Sequence, residues 1–295
     1  MKNLPSTLYK YVSPSRLSIL EKLEIRFTQP SALNDPFEFN FLFTDPVSPE
    51  ELRRQFMATD LDKMAQEAIS NLPPSQQKLG ELLMPGTFAE AIKETIANMF
   101  LSDELEKFHG NIIRPHTQTL KKEIWDAFNR SIGILSLSSN CTSAPMWASY
   151  ADNSRGIVLG FDTSSQFFNR QRSDSDEMYH LRKVVYEDRL PGGTLAETPS
   201  DFLILKSKSW EYENEWRMLA PLEAADNSFT TPTGDNVFLF AIPPTAISQV
   251  ILGLHTDKET TEKVQKNLSN NPTLSHIEIK KIRKGLCGLE ATSLQ

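Results

Sequence analysis

ILSLSSNCTSAPMWASYADNSRGIVLGFD, running from Ile134 to Asp162, changes its hydrophobic period twice. Ile134 to Leu137 form an apolar run with β-branched content, and Ser138 to Thr142 are small polar residues that end a strand and offer helix caps. Met146, Trp147 and Tyr150 recur at i, i+1 and i+4, which puts aromatic surface on one side of a short helix. Gly156 then restarts a strand, IVLGF. The stretch therefore reads as strand, helix, strand. Its Trp and Tyr suit a core on spacing alone, since aromatics at helical spacing usually bury, and a pocket wall is the other reading.

Working towards the N-terminus, LYKYV (8 to 12) reads as a first strand. Ser13 and Pro14 open a helix whose Leu17, Leu20 and Leu23 face inward, and EIRFTQP follows as a second short strand. SALNDPFEFNFLF combines Asn-Asp-Pro turn chemistry with flanking aromatics, which anchors a loop, and loops held this way often line sites. From Ser48 the pattern turns helical, with Ser-Pro-Glu-Glu as a starting signal and breaks at Pro73-Pro74 and near Pro115. The expectation is one α+β domain over 1–295 with a helical insertion over 48–131.

Towards the C-terminus, LRKVVYED (181 to 188), WEYENEWRML (210 to 219), VFLFAI, ISQVILGL and HIEIKKIR (276 to 283) read as strands. Thr256 is expected to cap an amphipathic helix, and the tail CGLEATSLQ to be loosely held. Strands predominate outside the insertion and do not alternate regularly with helices, which favours α+β over a doubly wound parallel sheet.

The chain has 295 residues, and its 31 basic against 38 acidic residues give a formal net charge of -7. That balance does not point to nucleic acid, although a local basic groove is compatible with it. Two cysteines, Cys141 and Cys287, are too few for a disulfide framework or a zinc site, and the five histidines show no metal-ligand spacing. No secretory signal and no apolar run near the ~20 residues of a membrane span is present, so a cytoplasmic protein without membrane association is expected. P-loop, GxGxxG and GxSxG patterns are absent.

Chemistry concentrates in EYENEW. As a strand it puts Glu211, Glu213 and Glu215 on one face. They are either an exposed acidic edge or, among Trp210, Tyr212 and Trp216, partly desolvated carboxylates able to orient a sugar hydroxyl or act as a base. Arg217 suits an ion pair with Glu38 or Glu215, or a fork for phosphate or carboxylate. Asn34 and Asp35 read first as turn formers and second as ligand contacts on an anchored loop. Cys141 reads as a small buried thiol.

Three blocks together, IRFTQPSALNDPFEFN (25 to 40), PMWASYADNSRGIVLGFD (145 to 162) and KSKSWEYENEWRML (206 to 219), resemble the prokaryotic family named domain of unknown function two-nine-seven-one. A further resemblance is to ADP-ribosyltransferases, whose split sheet binds NAD through a first strand, a second strand leading to an aromatic helix, and a late glutamate. LYKYVSPSRLSILEKL, GILSLSSNCTSAPMWASYA and EYENEW follow that order. The resemblance implies a split mixed or antiparallel sheet and NAD held as substrate. It implies Tyr150 stacking on nicotinamide with Trp147 beside it, Ser138 supporting the site, and Glu215 with Glu213 polarising the ribose. Lys10 and Tyr11 stand where that family places a His or Arg, and either contacts phosphate or ribose only weakly.

Two functions follow. One is an ADP-ribosyltransferase-like enzyme with protein, nucleic acid or water as acceptor. The other is a non-catalytic module of a bacterial defence or toxin–antitoxin system that senses a nucleotide or a partner protein. Metal-assisted nucleic-acid hydrolysis would need Asp35 and Glu38 to meet Glu213 or Glu215 around an ion.

Overall fold

The first strand, β1 (Thr7–Val12), alternates Leu8 and Val12 into the main core while Tyr11 packs on the opposite side of the sheet. A computed structural model of the chain describes residues 4–35, 49–173, 176–187 and 201–294. Two compact units result: one from Met1–Phe39 and Asp126–Gln295, the other from Asn40–Trp125.

In the first unit, β1 leads through a 3-10 turn, Pro14–Arg16, into the short helix α1 (Ser18–Lys22) and then β2 (Glu24–Phe27). Leu17 and Leu20 are buried as their spacing requires, and Leu23 closes the helix in a left-handed conformation. The second unit holds the helices α2 (Pro49–Met57), α3 (Leu61–Ser70), α4 (Pro74–Leu83), α5 (Phe88–Leu101) and α6 (Glu104–Phe108). Asp60 caps α3 through the amides of Asp62 and Lys63, and Phe56 stacks on Phe100 at 4.5 Å between ring centroids. Pro73-Pro74 separates α3 from α4 as expected. At Pro115 there is no break: a π-helical segment, His109–Ile113, runs into α7 (Arg114–Ser131).

Back in the first unit, β3 (Ile132–Ser138), α8 (Ala144–Tyr150) and β4 (Ile157–Asp162) realise the strand–helix–strand reading. There follow β5 (Leu181–Lys183), β6 (Val185–Tyr186), β7 (Leu205–Lys206), β8 (Glu215–Pro221), β9 (Asn227–Thr230), β10 (Asn236–Ala241) and β11 (Ile247–Leu252). Helix α9 (Lys258–Asn270) and strands β12 (Glu278–Lys284) and β13 (Leu289–Ser293) complete the unit.

Eight strands form one sheet in the order β13-β12-β11-β4-β1-β3-β8-β5. It is mixed: β11 and β12 run parallel across α9, and its other neighbours are antiparallel. The protein is thus a mixed α/β molecule. Register shows where the sheet is weak. β1 pairs β4 at six positions, Thr7↔Asp162 to Val12↔Ile157, and β3 pairs β8 at seven, Ile132↔Pro221 to Ser138↔Glu215. Between β1 and β3 there is one pair, Tyr9↔Ser138. Two half-sheets are therefore hinged at a single point, and their backbone groups beyond it need other partners.

Three further sequence expectations are corrected. WEYENEWRML is not one strand: Lys208–Glu213 form a 3-10 helix, Asn214 is left-handed at φ 46°, and β8 starts only at Glu215. Ser207 caps the 3-10 turn through the amide of Ser209, a local hydrogen bond that outcompetes strand propensity. Asp257, not Thr256, caps α9, while the Thr256 hydroxyl donates to Gly156 O at 2.9 Å. The tail is not loose, because β13 pairs β12 from Lys284↔Leu289 to Lys280↔Ser293. Most of the NDPFE block, from Pro36 on, lies outside the described residues.

Candidate functional site

A cavity of about 820 Å³ opens where β1 and β3 part. Its wall takes residues 9–12 of β1, the turn through Arg16, Thr28 and Ala32 to Asn34, Ser136 to Ser138 of β3, Met146, Ser149 and Tyr150 of α8, Asp152, and the charged group Lys206, Glu213, Glu215 and Arg217. The volume is in the range that small-molecule sites occupy. Lys10 spans the split, its ammonium donating to Ser136 O at 2.8 Å.

Four charges lock the far wall. Lys206 donates to Glu213 Oε2 at 2.6 Å and to Glu215 Oε2 at 3.1 Å. Arg217 takes Glu215 by two nitrogens, Nε to Oε1 at 2.8 Å and Nη2 to Oε2 at 3.1 Å, and gives Nη1 to Leu203 O at 2.7 Å. All four are nearly inaccessible, at 5% for Lys206, 3% for Glu213, 4% for Glu215 and 0% for Arg217. Among the described residues the cluster sets two cations against two anions, and mutual pairing of this kind is how buried charges survive. Burial by itself raises the Glu215 carboxyl, but Arg217 and Lys206 outweigh it and bring its pKa to about 2.

The backbone explains why these side chains meet despite the missing strand. Ser138 Oγ donates to Glu213 O at 2.6 Å, fixing the left-handed turn at Asn214 against the end of β3. Ser139 N then bonds Asn214 O at 3.1 Å, and Tyr186 Oη receives the Glu215 amide at 2.7 Å. Glu213 and Glu215 thus share Lys206 from either side of the turn, while Glu211 is exposed.

On the near side of Glu213, Tyr150 Oη donates to Oε1, and Asn34 Nδ2 donates to Tyr150 Oη. Burial and then the Glu213 charge raise the Tyr150 hydroxyl, so it stays a proton donor. Lys10 is lowered to about 8, chiefly by burial, with Glu215 opposing and Arg16 adding to the shift.

Of the residues singled out in the sequence, Lys10, Ser138, Tyr150, Asn34, Glu213, Glu215 and Arg217 converge on this cavity. Tyr11 borders it, but its ring is buried and its hydroxyl is committed to Asn140 O at 2.8 Å. Trp147 does not border it. The indole is 0% exposed in the second core cluster, edge-on to Tyr11 at 5.3 Å, with Nε1 donating to Cys141 O. Asp35 is buried away from the cavity wall. Glu38, the other partner foreseen for Arg217, lies outside the described residues, among which no three His, Cys, Asp or Glu gather to hold a metal. Cys141 is half-buried, and burial raises its thiol, as suits an inert side chain. Sequence reasoning missed Lys206. Its only signal is its place in the KSKS run ahead of the aromatic and acidic residues.

The fold and site define a mixed α/β protein whose hinged sheet encloses a polar cavity backed by a buried ion cluster. Residues 146–218 match the family model described as "Protein of unknown function (DUF2971)", which bears out the family resemblance carried by the Met-Trp and Glu-Trp-Arg blocks. No curated protein and no solved structure matches the chain. No helix among the described residues is long and apolar enough to cross a membrane.

Proposed function

We propose that the cavity binds NAD or a nucleotide of its class, and that the protein is an ADP-ribosyltransferase-like enzyme in which Glu213, rather than Glu215, meets the ribose. The observation that carries this reading is the hydrogen-bonded line Asn34–Tyr150–Glu213–Lys206 along the cavity wall, together with a cation, Lys10, that has no carboxylate in hydrogen-bond contact among the described residues. The charged Lys10 favours the diphosphate, while Glu213 is held by one ammonium and one neutral hydroxyl where Glu215 meets two cations, so it keeps more of its charge for the ribose. Glu215 is held on both oxygens by Arg217 and Lys206, so its part is to orient Lys206 and thereby Glu213.

In this scheme the bond between ribose C1′ and the nicotinamide nitrogen breaks with its electron pair leaving on nicotinamide. Glu213, accepting a hydrogen bond from a ribose hydroxyl, stabilises the sugar cation until protein, nucleic acid or water attacks it. The Tyr150 ring supplies the wall for nicotinamide. Glu213→Gln should lower nicotinamide release from NAD by about 100-fold, the size of a lost preorganised electrostatic contact. Chromatography of the released base reads this, and an unchanged rate contradicts the role.

The second reading, a non-catalytic nucleotide sensor of a defence or toxin–antitoxin system, is favoured by the complete pairing of Glu215. It expects NAD to bind without any release of nicotinamide, so the same assay separates the two.

A further inference from the structure

Beside Lys10 the first unit carries two more cations that neither carboxylate touches. Arg16 ends the 3-10 turn after β1 and borders the cavity. Arg26 is not itself on the cavity wall; it lies on β2 between the core residues Ile25 and Phe27 and faces the other way, on the side of Thr28, which borders the cavity two residues later. Arg26 Nε is buried without a hydrogen-bond partner. Among the described residues neither arginine forms an ion pair. Glu24, on the same face of β2, is not bonded to Arg26 either.

These cations act on one another. Burial first, and then Arg16, disfavour the charged form of Arg26, and the attraction of Asp235 is weaker than that repulsion. Both arginines likewise disfavour charge on Lys10. Clustered like charges raise the energy of the empty site and make it selective for a compact, multiply charged anion. The planar forks of two arginines suit a phosphate, and a monoester carries about −1.5 to −2 near neutral pH, more than one phosphate of a diester bridge.

We propose that Arg16 and Arg26, next to Lys10, form a subsite for a phosphate monoester, so that the preferred ligand is a dinucleotide or nucleotide bearing a terminal phosphate in addition to its diphosphate. This deepens the nucleotide reading above and depends on it.

The test is titration calorimetry at low salt with two probes that differ by one phosphate monoester, NADP and NAD, on the wild-type protein and on Arg16→Gln and Arg26→Gln. NADP is expected to bind at least about tenfold more tightly than NAD, the value of one charge-assisted contact. In either variant the ratio should fall to within about twofold. Equal wild-type affinities, or a preference that survives both substitutions, overturn the subsite and leave the nucleotide reading standing. If neither probe binds, both fall. Arg16 is exposed, so its variant decides the matter should Arg26→Gln fail to fold.

Discussion

Lys206 holds two carboxylates that would otherwise repel, and Arg217 completes the group. Truncating one partner of such a cluster leaves an uncompensated buried charge, so Arg217→Met should cost about 3–5 kcal/mol in urea unfolding. Combining it with Glu215→Gln should cost less than the two single changes added, because the stranded charge is gone. Strict additivity would mean that the cluster does not act as a unit. The same group sets an acid limit. Glu215 lies at about 2 against its ordinary 4.5, so the folded state binds fewer protons there than the unfolded chain, and the stability this confers is complete above about 4.5 and lost as pH falls towards 2. Urea midpoints across that window should drop in the wild type and drop less in Glu215→Gln. Motif and resemblance made Glu213, Glu215, Tyr150 and Ser138 legible. Lys206 was not, because a lysine's sequence neighbours do not reveal that it will fold back on acids seven and nine residues later.

The helix α8 and the turn that follows it make the sharpest backbone demand. Asp152, Asn153 and Ser154 are all left-handed, at φ 50°, 53° and 64°, before Gly156 enters β4. A Cβ on Gly156 would sit 2.1 Å from Val12 O, so backbone must move to admit one. Gly156→Ala is therefore expected to cost about 1–3 kcal/mol, read as a lowered thermal midpoint, while Gly288→Ala, where a Cβ meets nothing within 4 Å and the backbone is not left-handed, should cost less. Equal losses would argue against close approach as the cause. Strand–helix–strand was legible here because the apolar period changes where the elements change. The 3-10 helix Lys208–Glu213 was not, since alternating acidic and aromatic residues mimic a strand, and only the Ser207 cap and the left-handed Asn214 decide otherwise. The tail was misread because its strand character comes from pairing with β12, a long-range partner that local composition does not record.

At the level of the folded chain, the helical unit Asn40–Trp125 and the α/β unit each carry the architecture their sequence periods imply. What no local pattern disclosed is that a single residue pair, Tyr9↔Ser138, joins the two halves of the sheet and leaves Lys10 at the opening. Lys10 gives that opening a pH signature. It is charged below about 8 and neutral above, so anion binding should weaken as pH rises through 8. Stability of the empty protein should change the other way between 8 and 10.5, because the unfolded chain then holds the extra proton. Titration calorimetry of NAD into the wild-type protein and Lys10→Ala at pH 7 tests the central claim most directly. One-site binding that weakens about tenfold or more in the variant is the expected result; no heat of binding, or equal affinity in the two proteins, would contradict a nucleotide site in the split of the sheet.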